Sequence, residues 1–223
     1  MEKGGDELYY DAVLYDLDGT LVDTIPAILK AFRQAFLDVT GKPCDRAFAL
    51  STIGLPLRDA FVSFPMPMQE DLYEACRKYS TEYLQTMPTI FPKIQDDLAE
   101  LTRRKVRQGV VTSKRAAPAA FVLEKFALRS FFEVIVTSDC TARHKPYPDP
   151  LLEAMQQLGL EDPSRILYVG DSVHDLRCAN AAGMPCAMVN WTYMPKNELE
   201  SENPKFWLHR LADISCIIVK GEL

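Results

Sequence analysis

Asp16-Leu17-Asp18-Gly19-Thr20-Leu21-Val22-Asp23-Thr24 is the stretch on which the reading of this chain turns. In front of it stands Ala12-Val13-Leu14-Tyr15, an apolar run with the length and composition of a buried parallel strand. Behind it, Thr24 and Pro26 are suited to the cap and first turn of a helix. Two carboxylates one residue apart therefore lie where a strand ends and a glycine-containing loop begins. That is where ligands gather in an open α/β sheet. Carboxylates so close repel each other unless a cation or a proton is present. The alternative is an Asp-Gly turn closing a hairpin, but a helical pattern follows the stretch, not a second strand.

Working outward, Ile28, Phe32, Ala35, Phe36 and Val39 recur at helical spacing over about 25–40, and Gly41-Lys42-Pro43 ends that helix. Leu72, Cys76, Tyr79 and Tyr83 mark a second helix, ended by Met87-Pro88 and Phe91-Pro92. The spacing predicts a helical insertion over 25–91, placed after the first strand of a core made of 1–24 and 92–223. The core then alternates. A helix carries Ile94, Leu98 and Leu101; strands follow at 109–111, 134–136, 166–169 and 186–189; helices carry Phe121 to Phe126, Leu151 to Leu158, and Ala179 to Ala182. For the tail, the pattern predicts a helix near Phe206 to Leu211 and a last strand at Cys216 to Val219. Strands alternating with helices imply right-handed crossovers and an α/β fold with a doubly wound parallel sheet.

Composition narrows the function. The 223 residues carry 25 Lys and Arg against 31 Asp and Glu, a net charge of -6, which disfavours a nucleic-acid partner. Apolar residues make up 48% of the chain, enough for a packed core, yet no run has the length of a membrane span. The six cysteines are scattered with no CxxC pair, which predicts reduced thiols and a cytoplasmic location. Asn190-Trp191-Thr192 matches a glycosylation sequon, a chance match in such a chain. The usual nucleotide cradles, a Walker loop or G-x-G-x-x-G, are absent.

Polar groups follow the strands directly: Asp16 with Asp18, Thr112 with Ser113, and Asp171 with Asp175; Lys145 comes shortly after another strand. A parallel sheet would bring all of them to one rim. Asp16, Asp18 and Asp171 form a set of hard oxygen ligands of the kind Mg²⁺ takes. Thr112 and Lys145 add a hydroxyl and an ammonium that can neutralise a phosphoryl group. Each residue alone has a plainer reading: Asp171 or Thr112 as a helix cap, Lys145 as a solvated loop lysine, Asp175 as a first-turn acid. Four independent strand ends each supplying what one phosphate site needs is the stronger pattern. His144 and His174 read as loop residues.

These motifs resemble those of the haloacid dehalogenase (HAD) superfamily. The D-x-D-G-T form is Asp16 to Thr20, the strand-ending Thr is Thr112, the Lys is Lys145, and G-D-S-x-x-D is Gly170 to Asp175. The insertion lies where that family places its helical C1 cap. Thr112-Ser113-Lys114, Lys145 to Pro150 and Gly54 to Arg58 look most like the phosphoglycolate phosphatase and pyrophosphatase branch. The resemblance implies a HAD-like Rossmannoid core, Mg²⁺, and a small phosphorylated metabolite as substrate. It implies Asp16 as nucleophile and metal ligand, and Asp18 as acid, base and main-chain metal ligand. It implies Asp171 as the direct carboxylate ligand with Asp175 in support. Gly19, Thr20, Thr112, Ser113 and Lys145 are implied as substrate contacts, with Thr112 and Lys145 also catalytic. A phosphomutase of the β-phosphoglucomutase kind would use the same core and is one alternative; a pyrophosphatase is the other. The family's dehalogenases and phosphonate hydrolases replace the second Asp, so Asp18 speaks against both.

Overall fold

The structure, a computed structural model, describes residues 9–220. In chain order its elements are β1 (Ala12–Tyr15), β2 (Val22–Asp23), α1 (Ile25–Thr40), α2 (Arg46–Ser51), α3 (Met66–Thr86), β3 (Thr89–Ile90), α4 (Ile94–Arg103), β4 (Arg107–Val111) and α5 (Ala116–Lys125). They continue with β5 (Val134–Val136), α6 (Asp149–Gln157), β6 (Ile166–Gly170), α7 (Val173–Ala182), β7 (Cys186–Val189), α8 (Lys196–Glu200), β8 (Phe206–Leu208) and α9 (Ile214–Lys220).

Six strands form one parallel sheet in the order β5-β4-β1-β6-β7-β8. β1 is central because it can be buried on both faces. Val13 and Tyr15 enter one apolar cluster with α4, α5 and α9, while Ala12 and Leu14 enter the other with α6 and α7. Removing such side chains from water contributes about 1.5–3 kcal/mol for each large aliphatic residue. The sheet is therefore doubly wound, as expected. The chain moves from β1 to β4 and β5 on one side, then returns to β6 on the other. That reversal opens a crevice beyond the carboxyl ends of β4, β1 and β6. Tyr15 pairs with Val110 and with Val169, so the residues that follow all three strands reach one level.

Between β2 and β3 the chain is helical, and α1 and α3 enclose an apolar cluster of their own, with Phe32, Phe36, Phe61, Leu72 and Cys76 at its centre. Val22–Asp23 and Thr89–Ile90 pair as a short antiparallel ribbon where the chain leaves the sheet and returns.

The tail reverses the sequence expectation. Phe206–Leu208 is a strand, not a helix, and the segment expected as a strand at 216–219 belongs to helix α9. The reason is period. Phe206 and Leu208 face one cluster and Trp207 the other, an alternation of two residues, whereas Ile214, Ile217 and Ile218 form a helical stripe. Thr24 also departs from expectation. It precedes α1, but its side chain caps nothing; its hydroxyl donates to Asp18 Oδ1 at 2.5 Å.

Candidate active site

Asp16 follows β1, and its N–H donates to the Val169 carbonyl of β6 at 2.8 Å. This extends the ladder one residue and seats the carboxylate at the rim, where it is 4% exposed. Lys145, 2% exposed, donates from Nζ to Asp16 Oδ1 at 2.8 Å and to Asp175 Oδ1 at 2.7 Å. Tyr168 of β6 donates its hydroxyl to the same Asp175 oxygen at 2.9 Å. Asp175 Oδ2 accepts from the Ser172 N–H at 3.0 Å and the Ser172 hydroxyl at 2.6 Å, closing a capping box at the start of α7. The cap is thus Ser172, and Asp171 does no capping.

Asp171 is fully buried, and neither of its carboxylate oxygens has a hydrogen-bond partner among the described residues. A buried carboxylate is ordinarily paired. Ligand oxygens of Asp16, Asp171 and Asp175 lie within 4.8 Å of one another. Burial, with Asp175 and Asp16 nearby, pushes Asp171 well above the usual carboxylate range. Burial likewise raises Asp16, to about 7, with Asp175 and Asp18 adding to it and Lys145 opposing. Asp175 goes the other way: burial would raise it, but Lys145, Ser172 and Tyr168 hold it below its ordinary value. For Lys145, burial is outweighed by the two facing carboxylates, and its pKa rises.

Asp18 Oδ2 is paired with Lys114 at 2.9 Å. Four carboxylates (Asp16, Asp18, Asp171, Asp175) thus face two ammonium groups (Lys114, Lys145). Were all four ionised, negative charge would exceed positive by two, and Asp171 is the one carboxylate of the four with no partner among the described residues. A divalent cation held by oxygen donors fits both the charge and the donor set.

The loop after Asp16 is built around that carboxylate. Gly19 has φ +80°, and a Cβ there would stand 2.2 Å from Asp171 Oδ2, so any side chain would collide with it. The Thr20 hydroxyl is buried with no partner among the described residues. Thr112, after β4, is 3% exposed; its hydroxyl oxygen accepts the Lys114 N–H at 3.2 Å. Thr112 therefore caps no helix, since α5 begins beyond Arg115.

Asp16, Asp18 and Thr112 line a cavity of about 430 Å³ whose other wall is the loop after α2, Thr52 to Ala60, with Tyr73 of α3 among others. Arg58 lies on that wall, ion-paired to Glu70 at 2.7 Å and stacked on Tyr73. Ser113, expected among the substrate contacts, gives its hydroxyl to the Gly54 carbonyl at 2.5 Å and so joins β4's end to this wall. His174 does the same from α7, its Nε2 lying 3.1 Å from the Ser51 carbonyl. Sequence reading did not reach Gly54 or His174 in this role, because neither lies near its partner in the chain.

Residues 13–189 match the family model described as haloacid dehalogenase-like hydrolase. The chain belongs to that family. A curated relative, pyrophosphatase PpaX of Bacillus pumilus, is 32% identical over 208 residues, covering 93% of this chain and 96% of that one. Among solved structures, a predicted phosphoglycolate phosphatase from Haemophilus somnus superposes with a TM-score of 0.82 at 23% identity, over 94% of this chain and 98% of that one. A β-phosphoglucomutase from Clostridium difficile gives 0.77 at 19% identity, over 92% and 93%. At these identities the two structures speak for the fold. No helix among the described residues is long and apolar enough to cross a membrane.

Two expected results follow for this HAD-like hydrolase. Lys145→Ala leaves Asp16 and Asp175 buried without their shared cation; a loss of about 3–5 kcal/mol in urea unfolding is expected, and a loss near zero would contradict the pairing. Gly54 has φ +92°, and a Cβ there would meet Ser172 Oγ at 2.5 Å. Gly54→Ala must therefore push this loop away from Ser172 at the sheet rim. A fall of roughly 10–100-fold in kcat/KM is expected, against unchanged kinetics if the wall's position is immaterial.

Proposed function

We propose that this chain is a Mg²⁺-dependent phosphohydrolase of small phosphorylated metabolites, acting through an aspartyl phosphate on Asp16. The observation that carries the reading is the buried, unpartnered Asp171 carboxylate beside Asp16 and Lys145, at the rim where β1, β4 and β6 end. Asp16, Asp171 and the main-chain carbonyl of Asp18 would hold the Mg²⁺, with Asp175 supporting them. When bound, the ion would offset negative charge on the phosphoryl oxygens and on the two carboxylates.

The chain's own residues do the rest. An oxygen of Asp16 attacks phosphorus, and the bond from phosphorus to the leaving oxygen breaks. Asp18, placed by Thr24 and Lys114, enters the step protonated, gives that oxygen its proton and becomes the carboxylate that serves as base in the second half. Thr112 and Lys145 bind the phosphoryl group, and N–H groups of the loop after Asp16, through Gly19 and Thr20, complete its cradle. In the second half, Asp18 takes a proton from water as water attacks phosphorus. The bond to Asp16 breaks and phosphate leaves with Asp16 restored. In this reading, residues 25–91 are a cap domain closing over a core of 1–24 and 92–223, with the β2–β3 ribbon as its hinge.

The relative named as a pyrophosphatase makes inorganic pyrophosphate the first alternative substrate to phosphoglycolate-like esters. The test is phosphate release from a panel of small phosphate esters and pyrophosphate, in Mg²⁺ and in EDTA. Mg²⁺-dependent release is expected. No release from any of them, with turnover of a sugar phosphate between two isomers, would replace the phosphatase by a mutase.

A further inference from the structure

The loop after β7 contacts three separate parts of the site. Trp191 Nε1 donates to the Thr20 carbonyl at 3.1 Å. The Thr192 hydroxyl donates to the Asp171 main-chain carbonyl at 2.6 Å, and its oxygen accepts the Met194 N–H at 3.0 Å. Tyr193 donates its hydroxyl to Asp23 Oδ2 at 2.9 Å, on the ribbon leading to the helical segment. None of these residues lines the 430 Å³ cavity.

Among the described residues, the Asp171 carboxylate has no hydrogen-bond partner with which to be aimed. Its direction is therefore set by its backbone, and by Gly19, whose missing Cβ leaves room for Oδ2. The backbone is held at both ends. Its N–H reaches Asp175 Oδ2 at 3.3 Å, and its carbonyl accepts from Thr192. Trp191, from the same loop, fixes the carbonyl of Thr20, the residue next to Gly19. One short segment thus ties the Asp16–Thr20 loop to Asp171 and sets the distance between them.

We propose that Thr192 is a positioning residue for the cation site, and that with Trp191 it holds the Asp171 carboxylate in register with the Asp16 loop. The inference rests on the Mg²⁺ reading above. A group that orients a ligand from behind typically costs about 10-fold in metal affinity when it is removed.

Thr192→Val keeps the shape and removes the hydroxyl; Thr192→Ser keeps the hydroxyl and removes the methyl. Mg²⁺ binding is measured by calorimetry on the substrate-free protein, beside the melting temperature in EDTA and the substrate KM at saturating Mg²⁺. Thr192→Val is expected to raise the Mg²⁺ dissociation constant about 10-fold, with KM unchanged, and Thr192→Ser to restore it. Trp191→Phe, which removes only the N–H, is expected to raise it roughly threefold, and it carries the test if Thr192→Val does not fold. Wild-type affinity in Thr192→Val, or no rescue by serine, would overturn the positioning role while leaving Mg²⁺ dependence in place. Absence of Mg²⁺ binding by the wild type would overturn both readings.

Discussion

Asp16→Asn is expected to fold like the wild type and to release phosphate at less than about 10⁻³ of its rate. The substitution keeps the shape of the side chain and the oxygen that accepts from Lys145 at 2.8 Å. It removes a charge that burial already penalises, raising Asp16 to about 7, so the fold has little to lose. What disappears is the nucleophile. An amide cannot form the acyl phosphate, and neither Asp18, paired with Lys114 and Thr24, nor Asp175, enclosed by Lys145, Tyr168 and Ser172, is placed to take over. Phosphate release beside a circular dichroism melt is the measurement. Turnover within tenfold of the wild type by the folded variant would rule out covalent catalysis at this residue.

Asp171→Asn is expected to act with opposite signs on stability and activity. The wild-type carboxylate is fully buried, has no hydrogen-bond partner among the described residues, and is next to Asp16 and Asp175. Making it neutral relieves the repulsion, so the variant in EDTA should melt no lower than the wild type and up to several degrees higher. Adding Mg²⁺ should reverse the order. At a hundredfold excess over its dissociation constant a ligand stabilises the wild type by about 2.7 kcal/mol, roughly 5–10 °C for a chain of this size. The variant should gain almost nothing, and its activity should fall by at least about 10²-fold. A variant whose melting temperature rises with Mg²⁺ as the wild type's does would remove Asp171 from the cation site.

Much of this was legible in the sequence, and the parts that were not share a cause. Asp16, Asp18, Thr112, Lys145 and Asp171 could be located because each lies at or shortly after an apolar run, and a parallel sheet gathers such ends on one rim. Asp175 was expected as a first-turn acid or, from the resemblance, as a support for Asp171, and its bonds to Ser172, Lys145 and Tyr168 needed the fold. Thr24 has the composition of a helix cap, and tertiary context instead turned it to Asp18. The tail was misread because a three-residue strand shows only one alternation, and Ile214, Ile217 and Ile218 show their stripe only when the window begins before Cys216. The Trp191–Tyr193 loop carried only a chance sequon, since hydrogen bonds to carbonyls as far away as Thr20 leave no local pattern.

The most direct measurement is to quench the wild-type enzyme in acid during turnover with Mg²⁺ and its best substrate, and to map phosphoryl groups by peptide mass spectrometry. One added phosphoryl group on Asp16, absent in Asp16→Asn and in EDTA, is the predicted result. Steady turnover with the group on another residue, or on none under conditions where its breakdown limits the rate, would contradict the account.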